Sequence, residues 1–169
     1  MLAPGGLTLR KNAQLVLQTL PLVEKLLPDV KVVISGASTQ EYREKLKALK
    51  CRNVLEIGYV SDELLNALYG RALVVWFPSR YEGFGMPIIE AMSAGAPVIA
   101  TNISALPEIS GSAAVLCDVN DSWQHIEAMR GILESSAMRQ DLIDKSIRQA
   151  GKYSWVSSAR QLDQLFRSL

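Results

Sequence analysis

The sequence predicts an α/β domain in which a doubly wound parallel sheet carries helices on both faces. Short apolar or β-branched runs alternate with segments of helical periodicity along the chain. Two of these runs end at a glycine, Gly36 and Gly58. Residues 72–77 (ALVVWF) are uninterruptedly apolar, which is typical of a strand covered on both faces. Strand–helix alternation of this kind gives a parallel sheet with right-handed crossovers.

The elements follow one another in a regular order. Leucine and valine side chains at helical spacing predict a first helix over residues 12–27, and Ser61 is placed to cap a third helix. Pro87 lies in the first turn of a predicted fourth helix, and Gly95 ends it. The predicted helices are 12–27, 40–49, 61–70, 87–94 and three segments within 122–169, with breaks near 135 and 153–154. The predicted strands are 30–35, 54–57, 72–77, 97–100 and 113–117.

The beginning of the chain departs from this pattern. A sheet of this type starts with a strand that leads into the glycines, yet only residues 1–4 precede Gly5 and Gly6, and Pro4 cannot donate to a strand ladder. In a sheet of order 3-2-1-4-5-6 that strand is central. We therefore expect a truncated first strand in a single domain, residues 1–169, of a longer protein. The alternative is a natural short protein with an unusual first turn.

Composition excludes several function classes. The 169 residues carry a net charge of +1, which gives no reason to expect binding to nucleic acids or anionic membranes. Cys51 and Cys117 lie far apart and are expected to be free thiols of a cytoplasmic protein. No apolar run reaches membrane-spanning length. With one histidine and no cluster of carboxylates, no metal site is expected.

The densest functional signal is residues 77–90 (FPSRYEGFGMPIIE), which run from the end of a strand into a helix. Ligands of open parallel sheets bind beyond the carboxyl ends of the strands, and helix N-termini suit phosphate. Pro87 has no N–H, so the expected donors are the backbone groups of Gly83, Phe84, Gly85 and Met86. Glu82 and Glu90 flank this turn. Beside a phosphate site, carboxylates are expected to accept hydrogen bonds from sugar hydroxyls. The alternative is a tight turn with two solvated acids.

The segment from Glu82 to Glu90 (EGFGMPIIE) resembles the E-x7-E signature of retaining glycosyltransferases with the GT-B fold, especially family 4 of the glycosyltransferases, or glycosyl transferases group 1. The similarity continues on both sides of it and spans nearly the whole chain in order. The further matching segments are 10–12 (RKN), 79–85 (SRYEGFG), 90–99 (EAMSAGAPVI), 106–108 (LPE) and 153–155 (YSW). The resemblance implies a Rossmann-like C-terminal domain, the donor-binding half of such an enzyme.

The resemblance also implies roles for individual residues. Glu90 would bind the ribose hydroxyls of the donor, and Glu82 would contact the transferred hexose. The backbone of residues 83–86 would hold the sugar and the diphosphate, and Lys11 would neutralise the diphosphate. A cation there stabilises the charge that a departing pyrophosphate gains, so the family resemblance implies that no metal or other cofactor is needed.

The sequence departs from the family pattern at the position of a second cation beside Lys11. Many family members carry an arginine about six residues before the lysine, where this chain has Gly5 or Gly6. Arg10 could substitute, but neighbouring residues on a helix point in different directions, which puts a two-cation clamp in doubt. The two glycines could instead let the backbone approach the diphosphate. The nucleobase is expected over the loop that contains Gly58, Tyr59 and Val60.

The resemblance further implies partners. The expected ligand is a nucleotide-diphosphate sugar of the GDP-mannose or UDP-glucose type, and a cell-surface polysaccharide pathway is an analogy only. A missing N-terminal domain would supply the acceptor site, so this chain alone is expected to transfer little. The alternative is a non-catalytic nucleotide-binding or assembly module. Exposed apolar residues of the last helix could drive self-association; they are Val156, Leu162, Leu165 and Phe166.

A few single residues have structural interpretations. Trp76 is expected in the core, because it lies within an apolar run. His125, in a helix of mixed polarity, is expected at the surface. Trp123 and Trp155 are expected to pack between helices.

Overall fold

The computed structural model describes residues 1–168 and shows one parallel sheet of six strands. The sheet order is β3-β2-β1-β4-β5-β6, and all neighbouring strands are parallel. The strands β2 and β3 lie on one side of β1, and β4, β5 and β6 lie on the other side, so the order of the strands reverses between β1 and β4. This confirms the predicted doubly wound fold. The strands are β1 (Leu2–Pro4), β2 (Val32–Ser35), β3 (Val54–Gly58), β4 (Val75–Phe77), β5 (Val98–Thr101) and β6 (Ala114–Cys117).

Eight helices are described, seven of them near their predicted positions. Ser61 accepts a hydrogen bond from the Leu64 N–H, as expected of a cap. The helix α5 was not predicted, because five residues are too few to show a periodic pattern. Leu169, with which the last helical segment was predicted to end, lies outside the described residues. The helices are α1 (Ala13–Leu26), α2 (Gln40–Leu49), α3 (Asp62–Arg71), α4 (Met86–Ser93), α5 (Leu106–Ser110), α6 (Ser122–Glu134), α7 (Ser136–Ala150) and α8 (Trp155–Arg167).

The two faces of the sheet have separate cores. Side chains alternate along a strand, and in β4 all three are buried. Trp76 belongs to the cluster formed with α1 and α6. Val75 and Phe77 point the other way, into the cluster formed with α3, α4 and α5. The expectation that Trp76 is a core residue is confirmed.

The first strand, β1, consists of three residues and occupies the centre of the sheet. Leu2 pairs with both Val33 of β2 and Val75 of β4. Pro4 ends the strand, and the Gly5 and Gly6 N–H groups both donate to the Ser35 carbonyl at 2.7 Å. The chain therefore leaves the sheet at Gly5, next to the end of β2.

The expectation that His125 is a surface residue was wrong, because its side chain is fully buried. Its Nδ1 accepts a hydrogen bond from Trp76 Nε1 at 2.9 Å, and its Nε2 lies 3.1 Å from the Asp118 carbonyl oxygen. The ring is therefore a neutral imidazole with its proton on Nε2. Burial lowers the pKa of His125, although the Asp118 carbonyl and nearby carboxylates act against this.

Two other expectations failed at the surface. Trp123 is 56% exposed and Trp155 is 79% exposed, so neither is packed between helices.

Cys51 and Cys117 are free, as expected. Within residues 1–168, no helix is both long and apolar enough to cross a membrane.

Candidate functional site

The candidate site lies at the point where the order of the strands in the sheet reverses, between the carboxyl ends of β1 and β4. Ligands of doubly wound sheets bind at this kind of position. The β1–α1 loop (residues 5–12) and the β4–α4 loop (residues 78–85) meet here, and the Arg80 N–H donates to the Arg10 carbonyl at 2.9 Å. The sheet order thus brings together two segments that are about 70 residues apart in the chain.

Glu82 is the centre of a buried ionic cluster. Its Oε1 accepts hydrogen bonds from Lys11 Nζ at 2.6 Å and from Ser79 Oγ at 2.8 Å. Its Oε2 accepts one from Arg10 Nη1 at 2.9 Å. The side chains of Lys11 and Glu82 are 8% and 11% exposed, whereas that of Arg10 is 54% exposed. The strong contact of the cluster is therefore the one between Lys11 and Glu82.

Burial and ion pairing act in opposite directions on Glu82. Burial by itself would raise the pKa of this carboxyl, but the hydrogen bonds from Lys11 and Ser79 and the charges of Lys11 and Arg10 outweigh it, and the pKa is lowered. Glu82 is consequently an anion at neutral pH. It is held in place by groups on two loops.

Arg10 and Lys11 do not point in different directions, contrary to the expectation from a helix. Neither residue is helical, because α1 begins at Ala13 and Asn12 adopts a left-handed conformation with φ 55°. In this non-helical segment both side chains reach the same carboxylate, one on each oxygen. Two cations therefore converge on one point of the site.

The two glycines of the β1–α1 loop have a packing reason. Gly5 has a φ of 103°, and a Cβ there would lie 2.5 Å from Lys11 Cε. Gly6 has a φ of 72°, and a Cβ there would lie 2.0 Å from the Ala37 carbonyl oxygen. Gly5 thus leaves space for the buried stem of Lys11, and Gly6 allows two loops to touch.

The N-terminus of α4 closes one side of the site. Gly85 is the N-cap residue, with a φ of 104°. Among the described residues, the backbone N–H groups of Gly83, Phe84, Gly85 and Met86 have no hydrogen-bond partner. Four free N–H groups at a helix start, carrying its partial positive charge, form an arrangement that accepts an anion.

A pocket of about 170 Å³ lies beside this helix start. Lys11, Pro87, Tyr59 and Val60 are among the residues that line it. Tyr59 is 85% exposed, so its ring is free to cover a ligand. The predicted cation and the residues predicted to lie near the nucleobase therefore share one pocket. Glu90, in α4, is exposed, one turn of the helix beyond Pro87.

Sequence reasoning missed three site residues. Ser79 is fully buried and holds Glu82 directly. Ser104, at φ 49°, accepts a hydrogen bond from the Glu82 N–H at 3.1 Å. Tyr69 lines the pocket from α3. Ser79 belongs to the segment SRYEGFG and could have been found there, but Ser104 and Tyr69 become neighbours only through the fold.

The described part of the chain contains no group of three or more histidine, cysteine, aspartate or glutamate side chains arranged to hold a metal ion. The charged groups at the centre of the site are Lys11, Arg10 and Glu82.

Comparison with known proteins shows the family of the chain. The family model described as Glycosyl transferases group 1 matches residues 1–149. The chain belongs to this glycosyltransferase family. The predicted resemblance is therefore confirmed.

Curated relatives of this group 1 domain include two bacterial enzymes. It is 37% identical over 113 residues to O-antigen chain mannosyltransferase B of Escherichia coli, an alignment that covers 67% of the chain and 30% of the relative. It is 30% identical over 177 aligned positions to D-inositol 3-phosphate glycosyltransferase of Corynebacterium urealyticum, covering 98% of the chain and 42% of the relative. The chain thus spans less than half the length of either relative.

Solved structures show the same fold. The C-terminal domain of the group 1 protein LpcC from Francisella tularensis matches with a TM-score of 0.77 and 23% identity, over 89% of this chain and 84% of that one. HepE from Anabaena in complex with UDP and glucose matches with a TM-score of 0.86 and 19% identity, over 99% of this chain and 48% of that one. The group 1 domain therefore has the Rossmann-like fold of a GT-B C-terminal domain.

Proposed function

We propose that this chain is the donor-binding domain of a retaining hexosyltransferase, which moves a hexose from a nucleotide-diphosphate sugar to a glycan or lipid acceptor. The observation that supports this most is the convergence of Lys11 and Arg10 beside the free N–H groups at the start of α4. One carboxylate, Glu82, contacts both cations, so this cluster of three side chains keeps a net positive charge. A diphosphate is an anion of the size and charge that such a site would bind.

The charged residues have separate roles in this proposal. Lys11 and the N–H groups of residues 83–86 hold the diphosphate, and Lys11 stabilises the charge that develops as the glycosidic bond breaks. A carboxylate accepts about four hydrogen bonds, and Glu82 already accepts three. The remaining position, on Oε2, is free for a hydroxyl of the hexose. Lys11 and Glu82 are therefore the proposed catalytic residues.

The nucleoside is proposed to lie over the pocket. Exposed Glu90 accepts hydrogen bonds from the two ribose hydroxyls, and the base lies against Tyr59 and Val60. Because the relative named O-antigen chain mannosyltransferase B is 37% identical, GDP-mannose is the first donor to test, in a polysaccharide pathway. UDP-glucose is the second, since the HepE structure contains UDP and glucose.

The reaction itself is proposed to need a second domain. In same-face transfer, the departing phosphate takes the proton of the acceptor hydroxyl while the new bond forms on the same side of the sugar. The site that binds the acceptor would be supplied by an N-terminal domain. We therefore expect this chain to bind the donor without added metal and to transfer little alone. A cytoplasmic location stays a prediction.

Two observations also favour a second candidate function. Lys11 and Glu82 satisfy each other without a ligand, and α8 has no buried residue. Both facts agree with a non-catalytic assembly module that keeps the ion pair for stability and uses α8 for contact. This candidate differs from the first in predicting no affinity for nucleotides.

Calorimetric titration distinguishes the two candidates. The chain is titrated with GDP-mannose, UDP-glucose, GDP, UDP and ADP in buffer that contains EDTA. We expect the chain to bind the ligands that carry one particular base. This binding should be lost in Glu90→Ala and kept in the surface control Glu44→Ala. No binding to any of the five ligands would contradict donor binding by this chain and favour the assembly module.

A further inference from the structure

An open groove lies on the surface of the domain, between α1 and the β6–α6 loop (residues 118–121). It consists of two adjoining cavities of about 200 and 580 Å³, and Gln18 and Asn120 line both of them. Arg80 of the β4–α4 loop lines the smaller cavity, and Trp123 of α6 lines the larger one. The groove therefore extends from Arg80 to Trp123, and the proposed function gives it no role.

The smaller cavity adjoins the loops that hold Glu82. Arg80 follows Ser79 in the chain, and the Arg80 N–H donates to the Arg10 carbonyl. Both Ser79 and Arg10 donate side-chain hydrogen bonds to Glu82. The pocket proposed for the nucleoside is lined by residues that follow β2 and β3, whereas Asn120 follows β6, at the opposite edge of the sheet. The groove thus leaves the candidate site on the side away from the nucleoside pocket.

Amide side chains on exposed residues are the commonest polar groups in the lining; they are Gln14, Gln18, Asn120 and Gln124. Within residues 1–168, Gln124 is the one amide of these four that makes a side-chain hydrogen bond, which its oxygen accepts from the Asp118 N–H. An amide both donates and accepts hydrogen bonds, as a sugar hydroxyl does. The carboxylates of Asp118 and Asp121 outnumber the one cation of the lining, Arg80, so an anion is not favoured here. The groove therefore suits a neutral ligand that is rich in hydroxyl groups.

Trp123 adds an aromatic surface to this polar groove. Its side chain is more than half exposed, although tryptophan side chains are on average highly buried. Its backbone N–H donates to Asp121 Oδ1 at 2.9 Å, which fixes its position at the start of α6. One face of a hexose ring presents mainly C–H groups, and the negative face of an aromatic ring attracts them. A hexose can thus stack on the indole while its hydroxyls bond to the neighbouring amides.

The groove is long enough for more than one sugar unit. Its lining residues in α1, Gln14, Gln18 and Leu22, are four residues apart and therefore lie on one face of the helix. They span about 12 Å along the helix axis. A single hexose ring is shorter than this distance, so a short chain of hexoses fits the groove better than a monosaccharide.

We propose that this groove binds the glycan chain of the acceptor, with one hexose stacked on Trp123 and the growing end directed past Arg80 towards Glu82. This inference rests on the proposed function and chooses a glycan over a lipid, because the lining offers hydrogen-bonding groups in both cavities. The N-terminal domain of the proposed enzyme would bind the reacting unit of the acceptor, and the groove would bind the units behind it.

Nuclear magnetic resonance of the ¹⁵N-labelled chain tests the groove in the absence of nucleotide. The probes are mannotriose and maltotriose, which are neutral oligomers of the two proposed hexoses. Binding in the groove should shift the indole N–H signal of Trp123 and the side-chain amide signals of Gln14, Gln18 and Asn120. The indole signal of Trp155, which is exposed on α8 outside the groove, should stay in place and is the internal reference.

Three variants locate the binding. Trp123→Ala should weaken trisaccharide binding about tenfold, because it removes the stacking surface. Gln18→Ala removes an amide that both cavities share and should weaken binding severalfold. Trp155→Ala is the matched control, since it removes an exposed tryptophan outside the groove, and it should bind as wild type does. All three residues are exposed, so unchanged melting temperatures should show that the fold is intact.

The proposal would be overturned if neither trisaccharide shifted the signals of the groove at millimolar concentrations, or if Trp123→Ala bound with wild-type affinity. Shifts centred on Trp155 would also overturn it, because they would place the glycan on α8.

Titration with GDP and UDP separates failure of the groove from failure of the proposed function. A chain that binds a nucleotide but neither trisaccharide keeps the donor site and refutes the groove. A chain that binds a trisaccharide in the groove but no nucleotide refutes the proposed function and, with it, the role of the groove as an acceptor site.

Discussion

Replacing Lys11 by methionine tests the ionic cluster, because methionine matches the lysine side chain as far as Cε and lacks only the charged Nζ group that contacts Glu82. Glu82 would then be a buried anion without its shortest contact. Removing one partner of a buried ion pair costs about 3–5 kcal/mol. Since Ser79 and Arg10 still donate to Glu82, we expect the lower end, about 3 kcal/mol in the free energy of unfolding, measured by urea denaturation.

The same change should alter how stability depends on pH. The pKa of Glu82 is lowered in the folded protein from an ordinary value of 4.5. Its ion pairs therefore stabilise the fold fully above that value, and this stabilisation is lost as the pH falls through the folded pKa. The difference between wild type and Lys11→Met should be largest near neutral pH and should shrink below pH 4.5.

Arg10→Met is the matched control, because Arg10 contacts the same carboxylate from a half-exposed position. Exposed ion pairs contribute about 0–1 kcal/mol. We expect Arg10→Met to lower the free energy of unfolding by less than about 1 kcal/mol. Equal effects of the two substitutions, or a pH-independent effect of Lys11→Met, would refute the reasoning.

Three further predictions concern parts of the chain outside the ionic cluster. Because burial lowers the pKa of His125, the unfolded state binds its proton more readily; the free energy of unfolding should fall as pH drops below 6.5, and less so in His125→Asn, as urea denaturation at several pH values will show. Gly6→Ala should destabilise the fold far more than Gly58→Ala, since both have positive φ but only the first places a Cβ against backbone; equal melting temperatures would contradict this. Replacing Leu162 and Phe166 on exposed α8 by serine should abolish any self-association seen by sedimentation velocity, and wild type that stays monomeric at high concentration would contradict the predicted self-association.

The fold could be predicted because its signals are local. Alternating runs of apolar residues located the strands after the first, and caps such as Ser61 located helix starts. The order of the sheet followed from the rules of α/β topology. The exception is α5, whose five residues carry no periodic signal.

The site could be predicted only as two separate segments. Lys11 and Glu82 were each selected from their own motif, but their contact depends on β1 and β4 being neighbours in the sheet. The direction of the Arg10 side chain was misjudged because α1 begins two residues after Lys11, so neither residue is helical. His125 was misjudged for a related reason: its polar partner, Trp76, lies 49 residues away, so the local polarity of the helix carries no sign of it.

The most direct test of the proposed donor site is nuclear magnetic resonance of the ¹⁵N-labelled chain during titration with GDP and, separately, UDP. The proposal predicts that one nucleotide shifts the backbone amide signals of Gly83, Phe84, Gly85 and Met86 most strongly, because these N–H groups are free to receive the diphosphate. Signals of Tyr59 and Val60 should follow, since the pocket continues to them. Shifts confined to other parts of the chain, or no shifts with either nucleotide, would contradict the proposed site.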